Sequence, residues 1–235
     1  MGRRGGAGSA AAGGGDGRAP AGGAAGAGRG AGADPHAITT AAALRALYPP
    51  PHPLVLRKQL DRLDAHCRRF VARAPLAFLA TAGADGRCDV SPRGDGPGFA
   101  LALDDRTIAL PDRKGNNRLD GLLNVLENPH AGLLFVVPGI DDALRVNGRA
   151  AITTDPALLE RMAVGGRLPR SALVVTVEEA FLHCGRAFKR SRAWDPERFA
   201  AREELPTIAQ ALRDQTAPDR AERTLLDASE QAELY

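Results

Sequence analysis

The spacing of hydrophobic residues along the chain changes at Pro75. Before it, apolar side chains between Leu56 and Val71 recur at steps of three and four residues, which predicts one long amphipathic helix over 53–72. A short Ala-rich helix is predicted over 37–47, and the proline run that follows ends it. After Pro75 the apolar residues fall in short β-rich runs separated by turn signals, which predicts a sheet.

Seven strands are predicted from these runs, and most of them follow one another through hairpin turns. They cover 76–82, 87–91, 98–103, 107–110, 130–137, 143–153 and 172–177. Further helices are predicted at 116–126, 156–164, 207–214 and 221–234. Because strands mostly follow strands, and no GxGxxG motif follows the first one, a Rossmann fold is disfavoured. The pattern predicts an α+β domain that is mainly β, with a small closed or split antiparallel barrel.

Composition separates the start of the chain from the remainder. The first 35 residues hold 14 of the 27 glycines and 11 alanines, with no Leu, Val, Ile or Phe. Such a stretch cannot build a core, so we predict a disordered Gly/Ala-rich tail over 1–35. N-terminal helices over 36–73 are expected to pack on a barrel domain over 74–200, which a helical extension over 201–235 follows.

Charge and cysteine usage exclude several classes of protein. The net charge is +3, and only three of the 31 basic residues are lysines, a bias that a GC-rich genome explains better than a polyanion partner does. Aromatic residues are not interleaved with the cations, so no nucleic-acid partner is expected. No apolar run is long enough to cross a membrane, and the cysteines and histidines lack metal-ligand spacing. We therefore expect a cytoplasmic protein with reduced thiols and without a metal site.

The segment from Leu110 to Arg118 carries the strongest chemical signal, because its cations, glycine and amides fall between a predicted strand and a predicted helix. Free N–H groups at a helix start favour an anion, and nearby guanidinium and ammonium groups add charge-assisted contacts to phosphate oxygens. The candidate phosphate ligands are Arg113, Lys114, Asn116, Asn117 and Arg118. The alternatives are a solvated basic turn for the whole segment and a simple helix N-cap for either asparagine.

Three other segments are candidates. The glycine-punctuated bend over 89–98 lets the backbone approach a flat ligand, or else it is an ordinary wide loop. On the predicted strand 143–153, Arg145 and Asn147 share a face that is exposed, lines a site or forms a subunit interface. In the segment 183–195, His183 fits either proton transfer or a capping or core role, and Trp194 fits either ring stacking or a packing anchor.

Four segments in this order resemble the pyridoxamine 5′-phosphate oxidase-like FMN-binding split barrels, in particular their PPOX-class branch. The segments are FLATAGADGRCDVSPRGD, IALPDRKGNNRLDGLLNVLENPHAGLLFVVPG, LRVNGRA and HCGRAFKRSRAWDP. The resemblance implies an antiparallel six-stranded split β-barrel with flanking helices, a homodimer, and one FMN at each subunit junction.

The resemblance also implies roles for individual residues. The segment from Arg113 to Arg118 would hold the FMN phosphate, and the bend at Ser91, Arg93 and Gly94 would lie along the isoalloxazine. Arg145 and Asn147 would approach the flavin from a neighbouring strand or from the other subunit. Lys189 and Trp194 belong to a C-terminal segment similar to the one that grips flavin and substrate in the family.

The function expected from the sequence is an FMN-dependent oxidoreductase in which the flavin carries the redox chemistry of a small-molecule substrate or electron donor. His183 is the only candidate catalytic residue, and no other is assigned. The alternatives are a non-enzymatic flavin or haem carrier or sensor, and a deazaflavin-dependent reductase on the same barrel.

Overall fold

The computed structural model describes residues 34–216, 219 and 221–222. Contacts divide the chain into two compact units at Pro50. The described part of the first unit contains one short helix, α1 (Ala41–Ala46), whose start is capped by the Thr40 hydroxyl accepting from Ala43 N. The predicted helix over 37–47 is therefore found in shorter form. Nearly all of the tail predicted over 1–35 and of the helix predicted over 221–234 lies outside the described residues.

The second unit carries the other elements. They are α2 (Pro53–Arg57), α3 (Ala65–Arg73), β1 (Leu76–Ala82), β2 (Cys88–Gly94), β3 (Leu101–Ala102), β4 (Thr107–Pro111), α4 (Asp120–Glu127), β5 (His130–Val136), β6 (Ala143–Thr153), α5 (Pro156–Arg161), β7 (Ala172–His183), α6 (Arg186–Ser191) and α7 (Ile208–Thr216), with short 3₁₀ turns at Pro196–Arg198 and Arg202–Glu204. Asp155 caps α5, as its position before a proline predicts.

Within the described residues the seven strands form one antiparallel sheet in the order β2-β1-β5-β6-β7-β4-β3. The α+β split-barrel class is confirmed, with one strand more than the six that the resemblance implies. Leu79 of β1, Ile108 of β4 and Phe135 of β5 belong to a single buried cluster that also holds Val71 of α3 and Val125 of α4. Strands from both ends of the sheet thus share one core, on which both helices pack.

The predicted long helix over 53–72 is wrong in its middle part. Helix α2 ends at Arg57, and Leu60 instead exchanges backbone hydrogen bonds with Ala180 of β7, at 3.0 and 2.8 Å. The chain returns to helix at Asp64, whose carboxylate accepts from Cys67 N at 2.8 Å. The three- and four-residue spacing continues through this interruption because Leu63 and Cys67 are both buried, although only Cys67 is helical.

Two other predicted boundaries are corrected. Strand β7 was expected to end at Val177 but continues to His183, because β6 pairs with it along its whole length. Helix α4 begins at Asp120 and not at residue 116, because Asn117 and Leu119 both have left-handed backbones, with φ of 58° and 60°. The residues between Pro111 and α4 therefore form an irregular segment rather than a first helical turn.

The three cysteines differ sharply in accessibility, which predicts their reactivity. Burial raises the pKa of the Cys67 thiol to about 11, whereas Cys88 and Cys184 are exposed. We expect iodoacetamide at about pH 8 to modify Cys88 and Cys184 in the native protein and Cys67 only in denaturant. Peptide mass spectrometry of the two samples measures this. Equal labelling of Cys67 in native protein would contradict its position in the core.

Candidate functional site

A cleft of about 180 Å³ lies where β2, the irregular segment after β4 and the start of α4 meet. Six of the residues predicted from the sequence to bind a cofactor line it, namely Ser91, Arg93, Arg113, Asn116, Asn117 and Arg118. The bend predicted over 89–98 is wrong in its first half, because strand β2 continues through Gly94 in register with β1. Strand β2 and the basic segment, which are separate in the sequence, form one cleft. Asp89, Asp112, Asp120 and Gly121 also line this cleft.

One face of β2 supplies a wall of the cleft. Side chains alternate along this strand, so Asp89, Ser91 and Arg93 are half-buried while their neighbours are exposed. The buried amide of Asn124, on α4, donates to Asp89 Oδ2 at 2.8 Å and to Thr81 Oγ1 at 3.2 Å. These bonds fix the distance between strand and helix at the cleft, because a buried amide left unpaired would be costly.

Arg93 has an unusual environment. Its Nη2 atom lies 3.9 Å from the point where a Cβ on Gly121 would stand, close to the first turn of α4. The side chain is half-buried, yet it makes no hydrogen bond or ion pair with any residue that the structure describes. Asp89, Asp112 and Asp120 line the same cleft, but none of these carboxylates pairs directly with Arg93. A partly desolvated guanidinium without a direct partner is unfavourable on its own and favours a bound anion.

The start of α4 also favours an anion. Leu119 is the N-cap residue, and no side chain of the described residues caps the helix. Leu122 N and Leu123 N donate to Leu119 O, so the N–H groups of the first turn without a described acceptor are those of Asp120 and Gly121, which line the cleft at the positive end of the helix dipole. The two asparagines have other partners: Asn116 Oδ1 accepts from Arg118 N at 3.1 Å, and Asn117 Oδ1 accepts from Arg170 Nη1 at 3.4 Å. The alternative in which either asparagine is the N-cap is therefore wrong.

The two cations of the basic segment that line the cleft are held differently. Arg113 Nε donates to Asp95 Oδ2 at 2.8 Å in an ion pair that is largely buried, which orients its guanidinium. Arg118 Nε donates to Asp120 Oδ2 at 2.8 Å on the surface, and this hydrogen bond raises the pKa of Arg118 above its ordinary value. Both guanidinium groups retain N–H donors for a ligand.

Two of the predicted binding residues lie beside the cleft without lining it. Lys114 is exposed in the irregular segment. Gly94 pairs with Leu76 at the end of β2, where a Cβ would approach Pro75 O to 3.0 Å. Its lack of a side chain thus serves strand packing.

Arg145 and Asn147 lie on the outer face of the sheet and belong to a second polar cluster. Both donate to Glu179 Oε1, at 2.7 and 2.9 Å, and Gln59 Nε2 donates to the other oxygen of the same carboxylate. The guanidinium of Arg145 also lies 4.9 Å from the ring centre of Phe181, while its Nε atom is buried without a hydrogen-bond partner among the described residues.

The late candidates lie elsewhere. Trp194 stacks on Phe188 at 5.5 Å and donates to Ile140 O at 3.0 Å, so it anchors the segment after α6. Lys189 lies in α6, and His183 ends β7 with its ring 5.5 Å from that of Phe181. These three side chains do not line the cleft. Asn124 and Glu179, in contrast, were not predicted, although an asparagine on the apolar face of a helix is a sequence signal for a buried polar contact.

The fold is an antiparallel split barrel, and the cleft lies at the start of α4. Residues 63–184, a little over half of the chain, match the family model described as pyridoxamine 5′-phosphate oxidase, and the chain belongs to this family. A search of curated proteins finds no match. Among the described residues, no helix has the length and apolar character to cross a bilayer, and no group of three potential ligands could hold a metal ion.

Several solved structures are similar to this chain. HupZ of Group A Streptococcus shares 23% identity over 51% of this chain and 93% of its own, with a TM-score of 0.42. A Clostridium acetobutylicum protein related to general stress protein 26, of the pyridoxinephosphate oxidase family, shares 18% identity over 50% of this chain and 85% of its own, with a TM-score of 0.39. HutZ, the heme storage protein from Vibrio cholerae, shares 16% identity over 52% of this chain and 94% of its own, with a TM-score of 0.37.

Proposed function

We propose that this protein binds FMN and acts as an FMN-dependent oxidoreductase on a small-molecule substrate or electron donor. The observation that carries the proposal is the half-buried Arg93, which lacks a partner among the described residues and lies beside the uncapped start of α4. A phosphate monoester supplies the direct partner that Arg93 lacks, and it accepts hydrogen bonds from the guanidinium and from the helix N–H groups at once.

The size of the cleft supports a binding mode in which the cleft holds only the phosphate end of FMN and another surface holds the flavin ring. Pockets that enclose a whole small molecule usually measure about 300–1,000 Å³, and this cleft measures about 180 Å³. The cleft therefore suits the phosphate and its adjoining chain, and the flavin ring lies outside it. When bound, FMN supplies hydride and electron transfer. The protein's residues bind it, orient it and keep water from one side of it.

We further propose that a second copy of the chain covers the outer face of the sheet and completes the ring site. Val90 of β2 is 66% exposed and Phe78 of β1 is 38% exposed on this face. Next to them, Ala80 and Gly132 leave a shallow groove of about 350 Å³ that extends to Asn147. Exposed apolar surface next to small residues is typical of a protein interface. The unpartnered Nε of Arg145 lies on the same face and is our candidate donor to the flavin.

Replacing Val90 with lysine is expected to shift the protein from dimer to monomer, because a charge placed in an apolar interface must be desolvated. Light scattering after size-exclusion chromatography measures the mass. The matched control is Leu126→Lys, which alters an apolar residue that is 71% exposed on α4 and outside the groove. The dimer proposal fails if wild-type protein is monomeric, or if both variants keep its mass.

The function is tested with purified protein and four ligands. We expect the protein to carry a flavin spectrum, mass spectrometry to identify the released ligand as FMN, and added FMN to bind at least about tenfold more tightly than riboflavin, which lacks the phosphate. Turnover with nicotinamide donors and common acceptors distinguishes an enzyme from a carrier. Preferential binding of haem or of deazaflavin would overturn the cofactor assignment. Equal affinity for FMN and riboflavin would show that the cleft does not bind the phosphate.

A further inference from the structure

A larger cavity, of about 490 Å³, lies between α3, the turn after β5 and the end of β7. It shares no lining residue with the cleft at α4. Its apolar lining comes from all three elements and includes Phe70, Val137, Ile140 and Leu182. Its volume is within the range of sites that bind a small molecule.

Cations line this cavity at α3. Arg69 and Arg73 are four residues apart, so they lie on one face of the helix about 6 Å apart along its axis. Both are exposed, and neither has a hydrogen bond or ion pair with a described residue. His66, one turn earlier, lines the same cavity, and none of the described lining residues is acidic.

We propose that this cavity binds an amphipathic carboxylate whose apolar chain covers Phe70, Val137 and Ile140 and whose head group pairs with Arg69 and Arg73. An apolar lining with cations on one side complements a ligand of this type, since the chain is removed from water while the carboxylate accepts from two guanidinium groups. A nucleotide suits the cavity poorly, because its polar sugar and the polar edges of its base would face the aliphatic side chains of Val137, Ile140 and Leu182. The cavity shares no lining residue with the cleft at α4 or with the groove at Ala80 and Gly132.

Calorimetric titration with decanoate tests the proposal on full-length protein, with decanol and acetate as probes for the chain alone and the head group alone. We expect decanoate to bind at least about tenfold more tightly than either probe. Arg69→Gln combined with Arg73→Gln should lower decanoate affinity by about tenfold or more while leaving decanol unchanged. Ile140→Ser, at a position that is 48% exposed and therefore tolerant, should weaken both long-chain ligands.

Arg68→Gln is the matched control, because Arg68 is an exposed arginine of the same helix that does not line the cavity. It should keep wild-type affinity, and all the variants should keep wild-type FMN affinity. The proposal is overturned if decanoate produces no binding heat, if decanol binds equally well, or if Arg68→Gln weakens decanoate as much as the double variant does.

Discussion

Of the Gly→Ala substitutions in the described strands, Gly148→Ala is expected to destabilise the protein most. A Cβ at this position would lie 1.9 Å from Thr176 O and 2.9 Å from Thr176 C, so the clash is with backbone that cannot rotate away. The pairing of β6 with β7 has a β-bulge here: Asn147 pairs with Glu179 and Gly148 pairs with Val177, so Glu178 has no partner residue on β6. Relieving the clash would separate the two longest strands of the barrel. We expect a loss of about 3 kcal/mol or more in the free energy of unfolding.

Urea denaturation followed by circular dichroism measures this loss from the midpoint and slope. The matched control is Gly96→Ala, because no atom lies within 4 Å of a Cβ there. This variant should keep wild-type stability within about 0.5 kcal/mol. If Gly148→Ala were as stable as Gly96→Ala, the bulge would have to differ from the one described. A variant too unstable to purify agrees with the prediction provided that Gly96→Ala is obtained normally.

The strands could be predicted from the sequence because their signals are local. Alternating apolar residues and short turns placed β1, β4, β5 and β6 within about one residue of their observed bounds. The helix predicted over 53–72 failed for a non-local reason. Leu60 lies at a helical spacing from Leu56 and Leu63, but its backbone pairs with Ala180, which is distant in the sequence. No pattern within residues 53–72 predicts a contact with a strand so distant in the sequence.

In the candidate site too, contiguous features could be predicted from the sequence and contacts between distant residues could not. The basic segment could be found because its cations, glycine and amides are contiguous. The second polar cluster could not be found, because Gln59 and Arg145 reach Glu179 across 120 and 34 residues of sequence. The position of Arg93 needed the structure as well. The resemblance assigns it to the flavin ring, whereas it lies in the same cleft as the segment expected to hold the phosphate.

Arg93→Gln is therefore the variant that tests the phosphate site most directly. Removing a guanidinium that donates to a phosphate should cost about 1.5–3 kcal/mol, which is roughly a 10- to 150-fold loss of FMN affinity. The stability of the ligand-free protein should not fall in this variant. Arg93 is half-buried without a partner among the described residues, so its replacement by a neutral side chain should leave stability unchanged or raise it slightly.

Riboflavin separates the two possible roles of Arg93. If Arg93 contacts the phosphate, Arg93→Gln weakens FMN and leaves riboflavin affinity unchanged; if it contacts the ring, both fall together. The matched control is Arg87→Gln. Arg87 is an exposed arginine that directly precedes β2, and its Nε atom lies 3.4 Å from Asp85 Oδ2. Fluorescence titration of the two variants with both ligands measures all four affinities. Unchanged FMN affinity in Arg93→Gln would place the phosphate away from the start of α4, since Arg93 lines the cleft without an ion-pair partner among the described residues, whereas Arg113 pairs with Asp95 and Arg118 pairs with Asp120.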